Sequence, residues 1–241
     1  MNSKIKVDDI DKEAFIELIS SVLTQIDAVP FIPVDLSDYS AAPIAIALAS
    51  HCSNLAESAL ACIKASNEIP AMVLARTVFE TAVIAQYICQ IPDATSAFLK
   101  SSSGRYKKYL DKSAKIMELP SDLQIWLEEN ASWENQKGMP DFTSICKLFK
   151  EADTLVFLYS SLSSPVHVGN FVIGTYLPDY PPTIPNRRPL LGEIRSVLHA
   201  LLFSLLLCAS VVDSFSEVST LTRKISEICG KYEFQAALNL A

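Results

Sequence analysis

With 241 residues, half of them apolar, a fifth charged and only 6 glycine, the chain can bury a large core and is too hydrophobic to stay disordered. Scarce glycine favours packed helices over a turn-rich β fold. The formal charge of −7 removes any overall attraction for nucleic acid or an anionic membrane, so such binding would need a local basic patch.

The opening MNSKIKVDDIDKEAF mixes both charge signs and has no apolar run, unlike a secretory signal or a transit peptide. From Asp8 to about Ala28, apolar residues from Ile10 to Ile26 recur at three- and four-residue spacing, which predicts an amphipathic helix ended by Pro30 and Pro33. A second helix is expected from about Ser40 to Ser66, with Pro43 tolerated in its first turn and a close-packing seam of Leu48, Cys52, Leu55, Ala59 and Cys62. The third, Ile69 to Ile91, is apolar on almost every side and should be central. Asp93 is the expected N-cap of a fourth helix, which breaks near Ser101 to Gly104 and resumes as far as Leu119, where Pro120 stops it.

Shorter helices follow at Ser121 to Asn130, Asp141 to Glu151 and Thr154 to Ser164. Residues 168–192 then hold three glycines and five prolines, too much punctuation for a regular element. A loop of that length inside a domain is expected to be functional, as a lid or a partner arm. Two last helices are expected from about Arg187 to Val218 and from Leu221 to the end. The most hydrophobic stretch, Val197 to Val212, spans 16 residues broken by His199 and two serines. That is short of the ~20 needed to cross a bilayer, so it reads as a buried helix and membrane contact is not expected.

The fold expected is therefore all-α: a single-domain helical bundle of about seven to nine helices with one long Pro-rich loop. Residues 1–39 form an N-terminal helix and linker, 40–218 the core bundle, and 219–241 a C-terminal helix. The six cysteines lack a CxxC pair and mostly sit in apolar helical stretches, which suggests reduced thiols and a cytoplasmic protein. A last long helix poor in surface-type residues also suggests a homo-oligomer.

Three constellations are chemically suggestive. Arg76 and Glu80, at i and i+4 on the apolar third helix, share one face; a charge buried there needs a partner, so the pair is either a structural ion pair or part of a functional site. Tyr159, Ser163 and His167 share a face if their helix continues through Pro165; His167 could exchange a proton near neutrality, or simply cap the helix end. In KSSSGRYKKYLDKSAK, Arg105, Lys108, Lys112 and Lys115 form a stripe able to grip phosphates, with Tyr109 beside it for stacking, or else a solvated lysine face. Arg195 and His199 give R-x3-H, one residue short of the Arg-x4-6-His spacing of HEPN ribonucleases. No HExxH, Cys/His cluster, P-loop, GxGxxG or GxSxG is present, so neither a metal nor a nucleotide cofactor is expected.

The order of features, an Ala-rich helix with Asn54 and Glu57, then LARTVFETAVIAQYI with Arg76 and Glu80, a basic Tyr-containing helix and YSSLSSPVHVG with Ser163 and His167, resembles the bacterial helical family named domain of unknown function 5677. The resemblance covers Ser40 to Val212. It implies a helical, cytoplasmic protein in the wider circle of HEPN-like domains of toxins and phage defence. In that setting Arg76 and His167 would be the catalytic groups of a metal-independent RNA cleavage, with Glu80 beside them: His handles the 2′-hydroxyl proton and Arg stabilises the phosphorane charge. Arg76 and His167 are far apart in sequence, whereas HEPN proteins hold both in one short motif. Two expectations stand: an RNA-directed enzyme whose substrate is held by Arg105, Lys108, Tyr109, Lys112, Tyr159 and Ser163, and a non-catalytic interaction or sensor module that engages a protein partner through residues 168–192.

Overall fold

Proline and small polar residues set the helix limits. Asp11 caps α1 (Lys12–Asp27), its carboxylate accepting from the Ala14 N–H at 2.7 Å. Pro43 and Pro70 fall in the first turns of α2 (Ala41–Lys64) and α3 (Glu68–Gln90), where an N–H has no intrahelical partner. Ile91, held extended before Pro92, ends α3. The structure, a computed structural model, describes residues 10–29, 41–129, 138–164, 166, 175–176, 194–215, 220–230 and 238–241. The remaining helices are α4 (Ala94–Ser113), α5 (Ser121–Glu129), α6 (Phe142–Cys146), α7 (Ala152–Ser163), α8 (Ile194–Ser214) and α9 (Leu221–Cys229). Among the described residues the protein is an all-α bundle.

α2, α3 and α8 form the interior. Ala45, Ala49, Cys52, Ala56 and Ala59 of α2 are buried beside Ala71, Ala75, Ala82 and Ala85 of α3, and α8 lies across both with Leu198, Leu201, Leu202 and Leu205 fully enclosed. Small side chains allow the α2 and α3 backbones to approach closely, and each enclosed leucine contributes roughly 1.5–3 kcal/mol through lost contact with water. Of the expected α2 seam, Cys52 and Ala59 are buried, while Leu48, Leu55 and Cys62 are only partly buried at its flanks. α1 and α9 pack against α8, and α4, α6 and α7 against α3.

Polar groups tie the interior together. Glu68, 3% exposed, meets Lys12 of α1 at 3.0 Å. Gln86 donates to the Leu207 carbonyl at 2.9 Å and to Ser210 Oγ, and Gln90 donates to Gln86 and to the Leu238 carbonyl. These bonds link α3, α8 and the C-terminal residues. Asp213, near the end of α8, accepts from the Leu221 and Thr222 N–H groups at 3.1 and 2.6 Å and so caps α9 from another helix.

Several local expectations need correction. α4 runs without a break through Ser101 to Gly104 and stops at Ser113 rather than Leu119. Its small residues serve packing: Ser101 Oγ accepts from the Met139 N–H, and a Cβ on Gly138 would collide with that oxygen. Asp93 is not a side-chain cap; the turn closed by Ala94 N–H to the Ile91 carbonyl holds it at φ 62°, a left-handed conformation Asp tolerates. The segment expected as one helix from Asp141 to Glu151 is α6 followed by turns. The last helix ends at Cys229, and residues 238–241 instead lie along residues 148–151, with Phe149 and Leu240 forming an antiparallel bridge and Lys150 N–H bonded to the Asn239 carbonyl at 2.9 Å. Apart from residues 175–176, the Pro-rich loop 168–192 lies outside the described residues.

The expectation of a purely cytoplasmic protein is also corrected. α2, α3 and α8 are each long and apolar enough to cross a membrane. Val197 to Val212 is only the most apolar part of α8. The helix that carries it has 21 residues, because Ile194 and the residues after Val212 continue its hydrogen bonding.

Asp213 provides a direct test of the packing between α8 and α9. Asp213→Ala removes two charge-assisted bonds to otherwise orphaned N–H groups, at a cost of about 2 kcal/mol. Tm should fall by roughly 4–8 °C, and Asp213→Asn, which keeps one acceptor oxygen, should lose less. An unchanged Tm for Asp213→Ala would remove the cap from the account.

Candidate functional site

Each turn of α3 places Ala71, Ala75, Val78, Phe79 and Ala82 against α2 and α8, so Arg76 and Glu80 are left on the shoulder facing α6 and α7. Arg76 is 15% exposed and Glu80 30%, with Nη2 to Oε1 at 3.1 Å. The same Nη2 donates to the Tyr159 hydroxyl of α7 at 2.9 Å, and the guanidinium carbon stands 4.9 Å from the centre of the Tyr159 ring. The arginine is therefore held both through its edge and through its face. Its Nε–H is buried and has no hydrogen-bond acceptor among the described residues.

Aromatic side chains continue the contact inward. The Tyr159 ring lies 4.6 Å from Phe142 of α6, Phe142 meets Phe79 edge-on at 5.9 Å, and Phe79 is 6.3 Å from Phe203 of α8. The cation is thus anchored to the core by a row of rings. Phe142 is the member that sequence reasoning missed. Its signal was Asp141, which caps α6 by accepting from Ser144 N–H at 2.9 Å and Ser144 Oγ at 2.7 Å, and so fixes the first turn carrying Phe142. These bonds, the backbone one foremost, hold the Asp141 carboxyl below its usual range.

Two constellations that were separate in sequence meet at Tyr159. Ser163 is not part of the polar contact: its hydroxyl donates to the Tyr159 carbonyl at 2.6 Å, one turn back on its own helix. His167 lies outside the described residues. Arg195 is exposed, and the half-buried His199 sets its ring edge-on to Phe15 of α1 at 5.2 Å.

The basic helix faces water. Arg105, Lys108, Lys112 and Lys115 are exposed, as is Tyr109 at 64%. The cation that sequence reasoning overlooked there is Lys107, buried and paired with Asp111 at 2.9 Å. α4 packs on α2, α3 and α5. A groove of about 350 Å³ lies beyond its end, lined by Ala114, Met117, Leu119, Leu127 and the carboxylate-bearing Glu118 and Glu128.

All six cysteines are free thiols, and burial pushes Cys146 and Cys229 up to about 11, which keeps them protonated and poorly nucleophilic at neutral pH. Among the described residues no three His, Cys, Asp or Glu side chains are grouped to hold a metal ion.

A family model described as a family of unknown function, DUF5677, matches residues 43–179. The match takes in α2 to α7, including Arg76, Glu80 and Tyr159. No curated protein and no solved structure matches the chain.

Two measurements test the cluster. Arg76→Ala leaves Glu80 half-buried without its cation and Tyr159 without its donor, at a cost of about 2 kcal/mol, whereas Tyr159→Phe loses one bond and about 1 kcal/mol. Arg76→Lys should not restore the loss, because a lysine cannot bond along its edge and stack at once. Thermal melts rank the three variants. Asp141 predicts a pH effect: with its folded value depressed, its contribution is present above the ordinary Asp range and disappears as the pH falls through that depressed value. The Tm difference between the wild type and Asp141→Asn should therefore be present at neutral pH and close in acid.

Proposed function

The chain belongs to DUF5677, a family of unknown function, and we propose that it is a non-catalytic interaction module whose partner-binding surface is the junction of α4 and α5. The observation that carries this reading is the placement of exposed apolar side chains. Of the eight large ones among the described residues, Tyr106, Tyr109, Ile116, Met117 and Ile125 gather here. Ile116 is 86% exposed and Ile125 55%, beside a groove whose rim carries Glu118 and Glu128. Apolar surface of this kind, with carboxylates at the groove and cations along α4, suits a protein segment with apolar anchors and a basic group to meet the groove. Arg76, by contrast, already spends its charge on Glu80 and its edge on Tyr159, which favours a clamp between α3 and α7 over an anion-stabilising group.

A second reading, metal-independent RNA cleavage in a toxin or defence setting, draws on the exposed stripe of Arg105, Lys108 and Lys112 with Tyr109 beside it. Such a stripe would contact phosphates and stack on a base. It requires Arg76 to release Glu80 and His167 to join it.

One pair of assays separates the readings. A synthetic amphipathic helix of leucine and lysine should bind the wild type in fluorescence anisotropy, and Met117→Glu with Ile125→Glu should weaken it at least about tenfold with Tm unchanged, since both positions are exposed. Single-stranded RNA should remain intact in chelator. Cleavage that vanishes in Arg76→Ala would overturn the module in favour of the enzyme.

A further inference from the structure

In a chain whose formal charge is −7, α4 has the opposite sign: of its charged side chains only Asp111 is a carboxylate, against Lys100, Arg105, Lys107, Lys108 and Lys112. That carboxylate is taken by Lys107, the buried cation. Arg105, Lys108 and Lys112 are exposed, and among the described residues none of them forms an ion pair.

Projected at 100° per residue, these three cations and Tyr109 fall within an arc of about 100°, directly opposite the buried Lys107 and Leu110. The face turned from the bundle is therefore the basic one. Past Ser113 the chain makes a further turn, closed on the Ser113 carbonyl by the Ile116 and Met117 N–H groups at 2.9 Å each. It adds Lys115 at the edge of the arc and Ile116, 86% exposed, within it.

The mixture on this face selects among polyanions. A nucleic acid would use the cations for phosphates and Tyr109 for stacking, but it offers nothing to an isoleucine standing in open water. A bilayer with anionic headgroups uses every member. The long basic side chains reach its phosphates, a tyrosine rests at headgroup depth, and isoleucine enters the acyl boundary. Neither a few cations nor one apolar side chain holds a protein on a membrane by itself, whereas the two signals together do. A flat surface also meets only this face, and the acidic remainder of the chain lies mostly beyond the screening distance of about 8–10 Å.

We infer that the outer face of α4 is a docking surface for an anionic phospholipid bilayer, with Arg105, Lys108, Lys112 and Lys115 on the headgroups and Ile116 as the apolar anchor. This goes beyond the partner groove, whose lining includes none of these residues, so either can fail without the other.

Co-sedimentation of the full chain with vesicles tests it. The protein should pellet with phosphatidylcholine vesicles that contain phosphatidylserine, stay in solution with phosphatidylcholine alone, and leave the anionic vesicles as salt is raised. Lys108→Glu with Lys112→Glu should weaken the partition at least about tenfold, and Ile116→Ser at least about threefold, with Tm unchanged because all three positions are exposed. The double reversal should still bind the leucine and lysine helix, which separates this surface from the groove. No partition onto anionic vesicles, equal partition onto neutral ones, or a double reversal that pellets like the wild type would overturn the inference. So would labelled single-stranded RNA whose binding is lost in the double reversal while Ile116→Ser leaves the vesicle partition intact.

Discussion

The close approach of α2 to α3 governs the rest of the molecule. Alanine, cysteine and serine at the contact positions remove the bulk that would hold two helices apart, and α8 can then lie across both with its leucines enclosed on all sides. Every later element is defined by what this three-helix unit leaves uncovered. α1 and α9 cover α8, while α4, α6 and α7 cover the remaining flank of α3. A larger side chain at Ala75 or Ala82 would push on both neighbours at once, since interiors packed to this density have no slack to absorb it.

An interior this apolar makes its polar members conspicuous. Gln86 and Gln90 satisfy their amides on α8 and the C-terminal backbone, Asp213 satisfies two N–H groups of α9, and Glu68 takes Lys12. In each case a polar atom fixes which helix lies opposite and at what height, which apolar contacts alone specify poorly. Arg76 follows the same logic at the edge of the core. It bonds Glu80 along its own helix and Tyr159 across to α7, and the rings behind Tyr159 transmit that position to Phe203. The cluster holds α6 and α7 on α3 with charge-assisted geometry, and its charge is already answered.

The surface proposed for a partner then falls outside the charged pair that first draws attention. The α4 and α5 junction exposes isoleucine, methionine and tyrosine next to the carboxylates of Glu118 and Glu128. It is a property of what the core does not cover. The three helices that meet the length and hydropathy needed for a membrane are the same three that build the interior, with the apolar stretch of α8 more fully enclosed than that of α2.

Amino-acid order by itself determined the helical class, the central place of α3 and α8, and the presence of a partner for Arg76, because helical periodicity and the cost of an unpaired buried charge are local facts. The proline limits were legible for the same reason, whereas Asp93, the cap expected from sequence, makes no side-chain cap bond. Tertiary structure alone decided the rest. That Tyr159 turns to Arg76 across 83 positions while Ser163 turns back to its own helix depends on how α7 docks on α3, and no local spacing encodes that. The continuity of α4 through Ser101 and the lodging of residues 238–241 beside residues 148–151 arise from contacts between distant segments, which outweigh local preferences of less than about 1 kcal/mol per residue. Which positions of α2 stay exposed was likewise decided by the burial of its opposite face against α3 and α8, a contact that the sequence of α2 does not specify.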